Sequence, residues 1–199
     1  MSALIALAFG TTAMAGAIDP AALRIAAAVD PRYQSYNVEM VEVTGGRFWK
    51  PYREGPAKDA TDRYSYRPPL DLANARLVKL ATALGPAYVR VSGTWASATY
   101  IAARDGSTVP TGFTTVLTPT QWRRLAAFAK ATRGEVVLSA PTSPGTRDGN
   151  GVWQPQQLEA LLRQSQAVGI RVAGVAFMNE PNLIGLTVVS RCLFFRYRH

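Results

Sequence analysis

Four short apolar runs alternate with three amphipathic stretches, and that alternation restricts the fold of this chain more than any single motif. The runs are residues 34–43, Tyr88-Val-Arg-Val91, Glu135-Val-Val-Leu-Ser-Ala140 and the segment from Val172 to Met178. Between them, residues 70–84 place Ala73, Leu77, Leu80, Ala81 and Leu84 on one helical face and end at Gly85-Pro86. A second helix opens at Thr118-Pro119-Thr120-Gln121, where Thr118 can cap, Pro119 suits the first helical position and Gln121 can reach back. Its inward face is Trp122, Leu125, Ala126 and Ala129. A third helix starts near Pro155, buries Leu158, Leu161, Leu162 and Val168, and stops at Gly169. Strands joined by helices in this order imply a parallel sheet with right-handed crossovers. No glycine-rich phosphate fingerprint follows any run, and Ser92-Gly93-Thr94 has too few glycines for a dinucleotide fold. The predicted fold class is therefore α/β: the N-terminal half of a (β/α)8 TIM barrel, with four parallel strands and three connecting helices, over residues 33–182.

Size agrees with a partial barrel. The chain has 199 residues, whereas a complete barrel takes about 250. A hydrophobic fraction of 48% against 18% charged residues describes a globular chain and not a disordered one. No apolar stretch reaches the ~18 residues of a transmembrane helix; the nearest, Leu183 to Phe195, is broken by Arg191. Residues 1–17 form an apolar, signal-like leader with Ala13-Met14-Ala15 as a small-residue cleavage site. This predicts a secreted or cell-envelope protein. The leader lacks a basic n-region, so either the true start lies upstream or the segment stays uncleaved. Residues 183–199 have no helical period and no cap, which predicts a premature end or a frame disruption. Residues 21–28 read as a short helix or a linker. Residues 47–69 read as a long loop carrying Trp49, Tyr52, Tyr64 and Tyr66, and loops of that length are commonly functional or disordered.

The formal charge of +9 is compatible with an acidic partner such as a uronic-acid polysaccharide. A GC-rich coding sequence, which favours Arg and Ala over Lys, explains it equally well. No nucleic-acid motif is present, so no nucleic-acid partner is expected. Cys192 is the only cysteine and His199 the only histidine. Those counts exclude an intramolecular disulfide, a Ser-His-Asp relay and a multi-histidine metal site. No metal and no cofactor are expected.

The chemistry concentrates at Asn179-Glu180-Pro181-Asn182, directly after the apolar run 172–178. An amide and a carboxyl side by side at the C-terminal tip of a buried strand occupy the end where β/α barrels keep their reactive groups. The alternative is an asparagine cap with a glutamate favouring a helix dipole. Glu39 lies inside an apolar alternation and faces either the barrel mouth or solvent. Thr94 lines the same end or satisfies a turn. Arg90, in mid-strand, reads as an ion-pair partner. Trp49, Trp95 and Trp153 either stack on sugar rings or pack in the core.

Ala87-Tyr-Val-Arg-Val-Ser-Gly-Thr94, preceded by Leu84-Gly-Pro86, resembles the second-strand signature of heparanase-like enzymes, glycoside hydrolase family 79. Phe177-Met-Asn-Glu-Pro-Asn182 is similar to that family's fourth-strand motif. The resemblance covers residues 33–182 and implies a retaining glycosidase for glucuronic-acid-containing glycans. On this resemblance Glu180 is the catalytic general acid/base, and Asn179 hydrogen-bonds the sugar beside the cleaved bond. Thr94 and Glu39 match positions that bind substrate, with Glu39 standing where relatives often carry aspartate. The family's nucleophile belongs to a later strand that this chain lacks, so the chain alone is expected to be an inactive fragment. Its expected partners are a carbohydrate, acidic polysaccharide included, and another copy meeting its open sheet edges. Two other readings stay open: a non-catalytic carbohydrate-binding remnant or pseudogene product, and an α/β binding module tethered to a membrane by its leader.

Overall fold

The computed structural model describes residues 19–59 and 61–180. The leader expected over 1–17 and the tail expected over 183–199 lie outside the described residues, as do Pro181 and Asn182. Strand β1 (Tyr36–Glu39) runs into a short helix α1 (Met40–Thr44) and then a pair of strands, β2 (Gly46–Trp49) and β3 (Tyr64–Arg67). Helix α2 (Ala75–Ala83) leads to β4 (Tyr88–Ser92), followed by α3 (Thr94–Ser97), β5 (Thr99–Ile101) and β6 (Thr115–Leu117). Helix α4 (Pro119–Thr132), β7 (Glu135–Ser139), α5 (Gln156–Ala167) and β8 (Val172–Ala176) complete the described chain. Strands β1, β4, β7 and β8 form one sheet in that order, every neighbour parallel. The chain is thus an α/β protein with a parallel four-stranded sheet.

Local chemistry explains why the helices sit where they do. The Thr118 N–H donates to Gln121 Oε1 at 2.9 Å, and the Gln121 N–H donates to Thr118 Oγ1 at 3.3 Å. This closes the expected capping box, with Pro119 next in line. The same glutamine donates from Nε2 to the Thr44 carbonyl at 3.1 Å, which ties α4 to the end of α1. Asn74 Oδ1 accepts the N–H groups of Arg76 and Leu77 and starts α2. One face of the sheet, Val89, Val91, Val136 and Leu138, packs on Trp122, Leu125, Phe128 and Leu161. Each of these fully buried aliphatic side chains contributes about 1.5–3 kcal/mol by leaving water.

Several expectations change. The run 34–43 is not one strand: β1 stops at Glu39, whose N–H donates to the Glu42 carboxylate at 2.9 Å. Residues 40–44 then coil into α1, and Met40, Val41 and Val43 are all buried by it. The helix expected over 70–84 begins only at Ala75, because Asp71 holds the Ala73 N–H in a turn ahead of the Asn74 cap. Leu80 and Leu84 are 59% and 44% exposed instead of core. With Tyr36, Val38, Leu77 and Phe128 they wall an apolar groove of about 310 Å³ along the β1 edge. Within the presumed loop 47–69, β2 and β3 pair antiparallel. The segment at 21–28 is irregular after a single 3-10 turn at Pro20–Ala22.

The far edge is also incompletely covered. Val175 pairs with the buried Leu138, yet it is 42% exposed, and Phe177 is 54% exposed. Among the described residues, no helix is long and apolar enough to cross a membrane.

Candidate active site

A parallel sheet presents the C-terminal ends of all its strands on one side, and chemistry collects there. Register places the groups. Glu39 pairs with Ser92, Val91 with Leu138 and Ser139 with Ala176, so Glu39, Ser92, Ser139 and Ala176 form one row on the face away from the helices. The row below is Asn37, Arg90, Val137 and Gly174. Both β8 members are small, and a Cβ at Gly174 would meet nothing within 4 Å among the described residues.

Asn179 and Glu180 follow just beyond β8. The Arg90 Nη2 group donates to Asn179 Oδ1 at 3.1 Å, and Asn179 Nδ2 donates to Glu180 Oε2 at 3.1 Å. A guanidinium on the floor thus orients an amide, and the amide orients a carboxylate that is exposed to solvent. Glu180 holds φ at 45°, a left-handed conformation uncommon outside glycine. Such conformations cost on the order of 1–3 kcal/mol and cluster at functional sites.

Glu39 faces this group and does not point to solvent. Its Oε2 is buried and has no hydrogen-bond partner among the described residues. Gly93, at φ 84°, lies so close that a Cβ there would overlap the carboxylate. Burial pushes the Glu39 pKa up, the Glu42 charge adds to this, Arg90 opposes it and Glu180 raises it further. A carboxyl that keeps its proton is a hydrogen-bond donor as well as an acceptor. Ser92 and Ser139 are 0% and 1% exposed, and their hydroxyls also lack partners among the described residues.

The predicted residues therefore converge unevenly. Glu39, Asn179 and Glu180 share one end of the sheet. Thr94 opens α3, half-buried, one residue beyond Gly93. Arg90 makes no ion pair among the described residues, contrary to expectation; its partner is the Asn179 amide. Trp95 Nε1 donates to the Arg47 carbonyl and Trp153 Nε1 to the Pro141 carbonyl, each at 2.8 Å, so both indoles are fixed by packing and hydrogen bonds. Trp49 is half exposed and stacks on Tyr64 at 4.8 Å. No family model matches the chain, and no curated protein matches it either. Sequence reasoning did not single out Gly93, Ser92 or Ser139. Their signal is weak but present: Ser92-Gly93 directly follows the run 88–91, and Ser139 is the next-to-last residue of the run 135–140.

Proposed function

We propose that this chain carries the acid/base half of a retaining glycoside hydrolase, akin to the heparanase-like group and acting on glucuronic-acid-containing glycans. The observation that carries this reading is the Arg90–Asn179–Glu180 hydrogen-bonded series beside the half-buried Glu39 at the C-terminal strand ends. The four-stranded sheet is then half of a (β/α)8 barrel. The apolar groove along β1 and the exposed Val175 and Phe177 beside β8 support it, because further β/α units would cover both. The leader pattern supports export.

In this reading Glu180 donates a proton to the departing glycosidic oxygen, and its carboxylate then takes a proton from the attacking water. The Asn179 amide holds a sugar hydroxyl beside the reacting carbon. Glu39 and Thr94 hold the same sugar, Glu39 as a donor. The nucleophile comes from a strand beyond β8, with its carboxyl about 5–5.5 Å from that of Glu180.

The test uses Glu180→Gln in the enzyme assembled with its nucleophile-bearing half. Turnover of methyl glucuronide, a poor leaving group, should fall by about 10²–10⁴. The first-step burst on 4-nitrophenyl glucuronide should survive, because that leaving group needs no proton. Equal loss on both substrates removes the acid/base role. Sugar binding without turnover in either form assigns the same residues to binding alone.

A further inference from the structure

We propose a second carbohydrate site, on the β2–β3 hairpin, where the face formed by Arg47, Trp49, Tyr64 and Tyr66 binds a strand of acidic polysaccharide. Register pairs Arg47 with Tyr66 and Trp49 with Tyr64, which puts all four side chains on one side of the ribbon. Trp49 and Tyr64 stack at 4.8 Å with an interplanar angle of 27°. Trp49 is 50% and Tyr66 71% exposed, so aromatic surface on this face is open to a ligand. Pyranose rings lay their C–H faces on such planes.

The opposite side of the ribbon is its anchor. Phe48 packs on Trp95 at 4.9 Å and beneath the Arg67 guanidinium at 5.3 Å. The Trp95 indole also holds the Arg47 carbonyl at 2.8 Å. The free face is therefore set before any ligand arrives, and a preset surface loses less entropy on binding.

Charge selects the occupant. The hairpin segment carries Arg47, Lys50, Arg53, Lys58, Arg63 and Arg67. Lys50 pairs with Asp62, and the other five make no ion pair among the described residues. The same segment carries Glu54, Asp59 and Asp62, so six cations against three carboxylates leave it with a net charge of +3. Arg47 lies on the aromatic face, its guanidinium donating to the Thr61 and Tyr64 carbonyls, and Arg63 is exposed, whereas Arg67 belongs to the anchoring side. Carboxylate or sulfate groups on a bound polymer would meet the net positive charge of this segment. The choice of a polysaccharide over another polyanion rests on the glycosidase reading, since Trp95 links the hairpin to α3 at the same strand ends that hold Glu180.

Titration of the full-length protein with hyaluronan, followed by calorimetry, tests the proposal. Tyr66→Ala should bind roughly 2- to 10-fold more weakly, and Arg63→Gln should flatten the salt dependence of binding. Both side chains are exposed, so an unchanged melting temperature shows that the variants are folded. Excess methyl glucuronide, a monosaccharide that competes at the strand ends, should leave most of the hyaluronan binding in place, which separates the two sites. Failure of the Glu180 kinetic test would not move this, and complete displacement by methyl glucuronide overturns the proposal. Wild-type affinity in the Tyr66→Ala, Arg63→Gln double variant overturns the proposal. So does equal affinity for neutral dextran, and tighter binding of oligothymidylate would assign the face to single-stranded nucleic acid instead.

Discussion

Replacing Gly93 with alanine tests the link between backbone conformation and the Glu39 carboxylate. Gly93 sits at φ 84° and ψ 170°, a region essentially restricted to glycine, and a side chain there costs about 1–3 kcal/mol. The new Cβ also overlaps the Glu39 carboxylate. That carboxylate is the tip of a flexible side chain, so it swings aside at an off-rotamer cost of about 0.5–1.5 kcal/mol. The two effects together give a loss of about 2–4 kcal/mol. For a chain of this size each kcal/mol lowers Tm by about 2–4 °C, so thermal unfolding followed by circular dichroism should show a drop of roughly 4–16 °C. In a Glu39→Ala background, where the carboxylate is gone, only the backbone cost of about 1–3 kcal/mol should remain. A Gly93→Ala protein as stable as wild type refutes the backbone argument. Equal losses in the two backgrounds refute the contact.

Two further outcomes are expected. Because the folded-state pKa of Glu39 lies above its ordinary 4.5, the folded protein holds its proton longer than the unfolded chain, and stability falls as pH rises through that range. Asp30, lowered to about 2, and Asp59, Asp62 and Asp105, also lowered, act oppositely: their stabilisation is present above the ordinary 3.8 and is lost as pH falls. Glu39→Gln should therefore raise the urea midpoint at neutral pH and leave the acid limb unchanged, and an unaltered neutral limb contradicts the burial argument. Ser165→Ala should cost about 1–3 kcal/mol in urea unfolding, because Ser165 Oγ accepts the buried Trp122 indole N–H at 3.1 Å. A loss well below about 1 kcal/mol would mean that the indole finds another acceptor.

The alternation of strand and helix was legible because hydrophobic period changes at each junction, and the Thr118–Gln121 box because its chemistry is wholly local. Where tertiary partners decide, sequence pattern stops short. Val38 to Val43 alternates like a strand, but Glu42 captures the Glu39 N–H and Met40, Val41 and Val43 find cover as a helix. Leu80 and Leu84 keep the helical period, and nothing in that period reveals that their cover is absent among the described residues. Strands β2 and β3 are rich in aromatics but lie farther apart in sequence than the 2–5 residues of an ordinary hairpin loop, so no local rule pairs them. At the site, Asn179-Glu180 was legible from position alone. The direction of Glu39 was not, because it depends on the parallel register that sets it beside Ser92 and against Gly93.

Glu39 and Glu180 bring two carboxyl groups to one end of the sheet, but under the proposed reading they do not divide retaining hydrolysis between them. A nucleophile has to be ionised, with a lone pair free to reach the anomeric carbon. Glu39 has one oxygen packed against Gly93 without a partner among the described residues, and burial together with the Glu42 and Glu180 charges raises its pKa while Arg90 opposes them. A half-buried carboxyl hemmed in this way suits a hydrogen bond to a sugar better than attack on carbon. Arg90, on the row beneath, adds positive charge under the same space. Gly174 and Ala176 leave the β8 side of that space without bulk. Under the proposed reading, Glu39 thus holds the sugar while Glu180 moves the proton. Under the same reading the attacking carboxylate approaches across the β8 side, where Gly174 and Ala176 line the inner face.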